Sequence, residues 1–213
     1  MRKIFDGFIS TSICELPQLE FARTLLNGCR VRPLLQNNLL PSICVSKRKK
    51  LNQPPDEIVD RELERSDFFH KGDPNRGPSE SSSTCYNIYQ DVAHVSSLMQ
   101  IRLGAILGEC PSPQGAFYYP MNGYRSWHTN RFDQQGWRAY FVTVDAHQTS
   151  FFRAMCPTSG KVHTIWDEPG RVNLFRIDPR NPIWHCIVAD SAPRWSLGFL
   201  LRNQDIETLL MDK

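Results

Sequence analysis

Apolar residues recur along this chain with two different periods, and the change between them divides the sequence. Ile88, Val92, Val95, Met99, Leu103 and Ile106 fall at steps of three and four. Such steps place one apolar stripe on a helix, expected over residues 86–108. Gly108, then Pro111 and Pro113, mark its end. After Pro113 the period shortens. Eight short aromatic and β-branched runs follow, at 116–119, 124–129, 137–144, 150–155, 162–166, 172–177, 184–189 and 194–201. Turn residues separate them, among them Asn122-Gly123, Gly136, Gly160, Pro169-Gly170 and Pro182. Eight short strands at this spacing predict an antiparallel sandwich or jelly-roll barrel. The 86–108 stripe is expected to cover one face of it.

The first part of the chain reads differently. Leu16, Leu19, Phe21, Leu25 and Leu26 are spaced as on one or two short helices within residues 1–45. Lys47 to Lys50 form a basic run, expected as a solvated patch. Residues 66–84 are rich in Gly, Pro and Ser and nearly free of apolar side chains. Such a stretch buries too little surface to offset its ordering entropy, so it is expected as a mobile linker or loop. The expected organisation is an N-terminal extension over 1–85 and a barrel domain over 86–213.

Composition narrows the class. The chain has 213 residues and a net charge of +3, too weak to argue for nucleic acid or an anionic membrane surface. No apolar run reaches the roughly 20 residues of a membrane helix. The first residues lack an apolar signal core. A soluble cytoplasmic protein is the expectation. The seven cysteines are odd in number and form no C-x-x-C pair, which argues against a zinc knuckle or a disulfide framework. They are expected to be reduced and mostly buried.

Three strands carry unusual polar residues. His128 and Asn130 are alternate residues in Trp127-His128-Thr129-Asn130, so they can share the inner face. The penultimate strand holds Trp184-His185-Cys186, and the last holds Arg194-Trp195-Ser196. A buried arginine is rare unless it meets an anion, and its planar fork suits a carboxylate. Trp127 and Trp184 either line a pocket or pack the wall. His94, His147 and His163 have no partners at useful spacing and are expected to be structural. Asp167, in Asp-Glu-Pro-Gly, is expected as a turn residue.

This ordered set resembles the 2-oxoglutarate- and Fe(II)-dependent dioxygenase superfamily, most closely its prolyl-4-hydroxylase-like branch. The residues that carry the resemblance are the His128…His185 pair, 57 residues apart, and Arg194-x-Ser196, nine residues beyond His185. Tyr119…Gly123 leading into His128, and Trp137-Arg138-Ala139-Tyr140-Phe141 on the next strand, add to it. About 85 residues are covered. The resemblance implies a mainly β fold with α additions, a double-stranded β-helix (jelly-roll) barrel with supporting helices. It implies Fe(II) held by His128, Asn130 and His185. It implies 2-oxoglutarate as cosubstrate, its far carboxylate on Arg194 and Ser196, with Tyr119 beside it. The implied activity is oxygen-dependent hydroxylation of a peptidyl or small-molecule C–H bond. No feature indicates a membrane or nucleic-acid partner.

The sequence departs from that pattern at one place. The family's third ligand is Asp, and this chain has Asn130. Three outcomes follow. Asn130 is a neutral, weaker ligand through its amide oxygen; or Asp133 reaches in from the turn; or the protein is a binding module that has lost iron.

Overall fold

In the computed structural model, residues 2–28, 55–64, 85–88, 92–130 and 134–210 are described. The basic run at Lys47, the 66–84 stretch and Asp133 fall outside them. The described chain carries α1 (Glu20–Gly28), α2 (Pro55–Glu64), α3 (Ala93–Leu107) and α4 (Asn203–Leu210). Its strands are β1 (Arg2–Phe5), β2 (Phe8–Ser12), β3 (Tyr86–Asn87), β4 (Ser112–Tyr119), β5 (Gly123–His128), β6 (Gly136–Val144), β7 (Ser150–Met155), β8 (Val162–Trp166), β9 (Arg171–Ile177), β10 (His185–Ala189) and β11 (Arg194–Leu201). The eight expected runs are the eight strands β4 to β11.

The strands form two antiparallel sheets. The larger has the order β1-β2-β9-β6-β11-β4-β3, and the smaller β5-β10-β7-β8. Consecutive strands keep switching sheet: β4 lies in the larger, β5 in the smaller, β6 in the larger, β7 and β8 in the smaller, β9 in the larger. β10 and β11 repeat the exchange. The chain thus winds around a closed interior, lined by alternate residues of both sheets.

Alternation sorts β11. Trp195, Leu197, Phe199 and Leu201 join a core with Met99 and Leu103 of α3 and Leu26 of α1. The α3 stripe therefore covers the outer face of the larger sheet, as its spacing predicts. Arg194, Ser196 and Gly198 face the other way, into the barrel. A Cβ on Gly198 would stand 2.7 Å from the Tyr140 ring, so only glycine lets that ring lie across the strand. The outer face of the smaller sheet packs on α2, where Val59 meets Trp127, Trp184, Cys186 and Val188. Trp127 Nε1 donates to the Val59 carbonyl at 2.9 Å. Both tryptophans are therefore wall residues.

Three expectations are corrected. Helix α3 begins at Ala93, not at 86; Tyr86–Asn87 pair with β4 instead. Gly108 caps its end with φ 78°, as expected. The first residues are not only helical: β1 and β2 extend the larger sheet, β2 pairing with β9. The described cysteines are all free, yet Cys14 and Cys110 are exposed, so burial holds only for Cys85 and Cys186.

Candidate active site

The barrel interior holds a narrow cavity lined by two histidines, Asn130, two arginines and aromatic rings. The cavity volume is about 20 Å³. His128 ends β5 and His185 opens β10, and the two stand directly opposite in the antiparallel ladder. Cross-strand partners share a face, so their rings meet with centroids 4.1 Å apart. A carbonyl two residues earlier in the chain ties each ring. His128 Nδ1 donates to the Ser126 carbonyl at 2.7 Å, and His185 Nδ1 to the Ile183 carbonyl at 3.0 Å. Each imidazole then carries its proton on Nδ1, and its lone pair is on Nε2. Metal-bound histidines are commonly held by this arrangement.

Both rings are held neutral. Burial pushes His185 down to about 3. Burial, then the charge of Arg125, hold His128 well below the usual range. Neutral imidazole is the form that ligates a metal. Asn130 lines the same cavity. Its Oδ1 is buried with no hydrogen-bond partner among the described residues. An orphaned amide oxygen beside two fixed imidazole lone pairs is a donor set that suits a divalent cation. No cluster of three or more His, Cys, Asp or Glu side chains occurs among the described residues, so these three donors include no carboxylate.

The protonation of these rings has a consequence for stability. An unfolded histidine takes up a proton near pH 6.5, whereas folded His185 refuses it until about 3. The unfolded chain therefore binds more protons throughout that window. Stability is present in full above about 6.5 and is lost as pH falls. Urea unfolding of the metal-free protein between pH 6.5 and 5 should show a loss of roughly 1 kcal/mol per pH unit for each ring. His185→Gln should remove about half of that slope; an unchanged slope would mean the ring is protonated in the fold.

Arg194, at the start of β11, lies 2% exposed on the same interior. Its Nε donates to Asp167 Oδ2 at 2.8 Å, and Nη1 donates to Ser196 Oγ at 3.3 Å. Its guanidinium stands 5.4 Å from the Tyr119 ring. Burial raises the Tyr119 phenol far above its ordinary value, so it stays protonated and can donate. The cavity thus joins two parts: a neutral N,N,O donor set and an arginine flanked by two hydroxyls.

The strand exchange between two sheets, with the cavity between them, decides the architecture. The fold is a double-stranded β-helix. No protein-family model matches this chain, and no curated protein matches it by sequence. Solved structures do. A Pseudomonas putida prolyl-4-hydroxylase matches with a TM-score of 0.50 and 16% identity, over 92% of this chain and 93% of that one. A Trichoplax adhaerens prolyl hydroxylase, in complex with a hypoxia inducible factor oxygen degradation domain peptide, matches with 0.43 and 16%, over 97% and 88%. A Burkholderia pseudomallei oxidoreductase of the 2OG-Fe(II) oxygenase family matches with 0.38 and 11%, over 50% and 56%.

The double-stranded β-helix brings together all six residues singled out in the sequence: Tyr119, His128, Asn130, His185, Arg194 and Ser196 line one cavity. His94 and His147 are exposed and lie elsewhere; His163 meets the Phe5 ring at a tilt. Two residues escape the sequence reading. Asp167 is not a solvated turn residue. It is 1% exposed and accepts from Arg194 and from Ser150 Oγ at 2.6 Å. The signal was present, because a buried arginine requires an anion and Asp167 is an available one. Arg125 is the other. Strict alternation puts it opposite His128, but the register shifts in β5: His128 faces His185, while Arg125 faces Ile187. This bulge turns both inward.

Proposed function

We propose that this protein is a 2-oxoglutarate- and Fe(II)-dependent oxygenase that hydroxylates a peptidyl or small-molecule C–H bond. The observation that carries the reading is the His128–His185 pair, both Nδ1 atoms tied to carbonyls, beside the orphaned Asn130 Oδ1. His128, His185 and Asn130 would hold the iron, which when bound supplies oxygen activation. The overall reaction takes O2, 2-oxoglutarate and a C–H bond to succinate, CO2 and a C–OH group.

The chain's own residues have definable parts. The two carbonyls hold the imidazoles in one tautomer and one orientation. Arg194 has Asp167 on its Nε and Ser196 on its Nη1, which leaves Nη2 and the second Nη1 hydrogen for the far carboxylate of the cosubstrate. Ser196 and the protonated Tyr119 add hydroxyl donors to the same group. Phe117, Phe152, Phe175 and Ile187 line the cavity and exclude water from it.

A second reading has its own support. Asn130 brings no charge, and Arg125 adds a positive one near both histidines. Both disfavour a dication relative to a site with a carboxylate. A non-catalytic module that binds an acidic ligand is the form the protein would take if iron were lost.

The two readings part on turnover. Purified protein with Fe(II), ascorbate and 2-oxoglutarate should release succinate above the metal-free control. Arg194→Lys should raise the KM for 2-oxoglutarate about tenfold or more, since a point charge replaces a fork. Absence of any iron-dependent succinate would favour the binding module. An unchanged KM in the variant would remove Arg194 from the cosubstrate site.

A further inference from the structure

Asp167 balances Arg194, but Arg125 has no such partner. It lines the cavity, and neither an ion pair nor a hydrogen bond to a carboxylate is formed by it among the described residues. Its guanidinium lies 5.2 Å from the Phe117 ring. Asn130 brings no charge. An Asp at position 130 would place a carboxylate in the same cavity as Arg125; the amide does not. One positive charge is therefore left over among walls made largely of Phe117, Phe152, Phe175 and Ile187. Arg125 is half-buried, and an uncompensated charge in such partly enclosed surroundings attracts an anion.

The geometry also gives a spacing. Arg194 stands over Tyr119 and Arg125 over Phe117, rings two residues apart on one face of β4. Two residues of strand span on the order of 7 Å. We propose that Arg125 is a second anion seat, so that the cavity selects a short dicarboxylate, bound between Arg194 and Arg125 without help from a metal. The inference rests on reading Arg194 as the seat of the first carboxylate. It makes Arg125 a binding residue and ties its role to the amide at 130. A ligand carboxylate takes the place of the missing protein one.

The test uses the full-length protein in excess chelator, so that iron plays no part. Titration calorimetry compares succinate and 2-oxoglutarate with butyrate, which has the same apolar stem and one carboxylate. Wild type should bind the dicarboxylates about tenfold or more tighter than butyrate. Arg125→Met keeps an apolar stem on Phe117 and removes the charge; its melting temperature reports folding. It should lose that preference, so that the dicarboxylates bind no tighter than butyrate. Arg125→Lys should retain part of the preference. Arg194→Lys serves as the control for the first seat. Loss of dicarboxylate binding in Arg194→Lys with none in Arg125→Met would overturn the proposal and leave the Arg194 reading standing. No dicarboxylate preference in wild type would overturn both.

Discussion

Asp167→Ala should destabilise the protein by about 3–5 kcal/mol, the usual cost of leaving one member of a buried ion pair alone. The pair is well enclosed: the side chains of Arg194 and Asp167 are 2% and 0% exposed. Asp167 Oδ2 accepts from both Arg194 Nε and Ser150 Oγ, so the substitution also strands a buried hydroxyl. Asp167→Asn keeps the shape and an acceptor, and should cost less. A carboxylate ligand should offset the loss, because it supplies the anion that Arg194 lacks. Millimolar succinate should therefore raise the melting temperature more in Asp167→Asn than in wild type. Thermal denaturation with and without succinate measures both effects. A variant that melts like wild type, or an equal succinate shift in both, would mean that the ion pair is incidental to the cavity.

How much of this was legible follows from the range of each interaction. The strands β7, β8 and β11 have the bounds that their aromatic and β-branched runs and the flanking turn residues predict. The pairing of His128 with His185 was legible because both lie on strands whose inner residues are polar against an apolar background. The β1–β2 ribbon was not. Its contacts are with β9, and the Ser10–Asn173 hydrogen bond spans 163 residues, which leaves no local mark. Tyr86–Asn87 read as helix because the stripe that begins at Ile88 continues its phase into α3. Arg125 was lost to the bulge, since a two-residue period cannot register an inserted residue. Asp167 was lost because Asp-Glu-Pro-Gly is turn chemistry by composition. Its partners Ser150 and Arg194, 17 and 27 residues away, show that it is core.

Asn130→Asp should tighten Fe(II) binding by at least about tenfold. The substitution keeps the backbone and nearly the volume, and it replaces a neutral donor with an anion. Asn130 Oδ1 already stands buried and unpartnered among the described residues. A carboxylate there would face Arg125 and two neutral imidazoles, so the charge would be compensated once the dication binds. The same change would give Arg125 a protein partner and so weaken metal-free dicarboxylate binding. Asn130→Ala should lose iron affinity relative to wild type. Anaerobic metal titration of the three proteins measures the order, and succinate release shows whether added iron brings added turnover. Equal affinity in all three would mean that position 130 does not touch the metal, and Asp133→Ala would then be the variant to titrate.

An oxygenase of this kind requires that two neutral histidines and an amide oxygen hold iron inside this barrel. Anaerobic equilibrium titration of the wild-type protein with Fe(II), beside His128→Ala and His185→Ala, tests it most directly. Wild type should bind one equivalent, and neither variant should bind saturably. Wild type that binds no iron, or variants that bind it as wild type does, would contradict it.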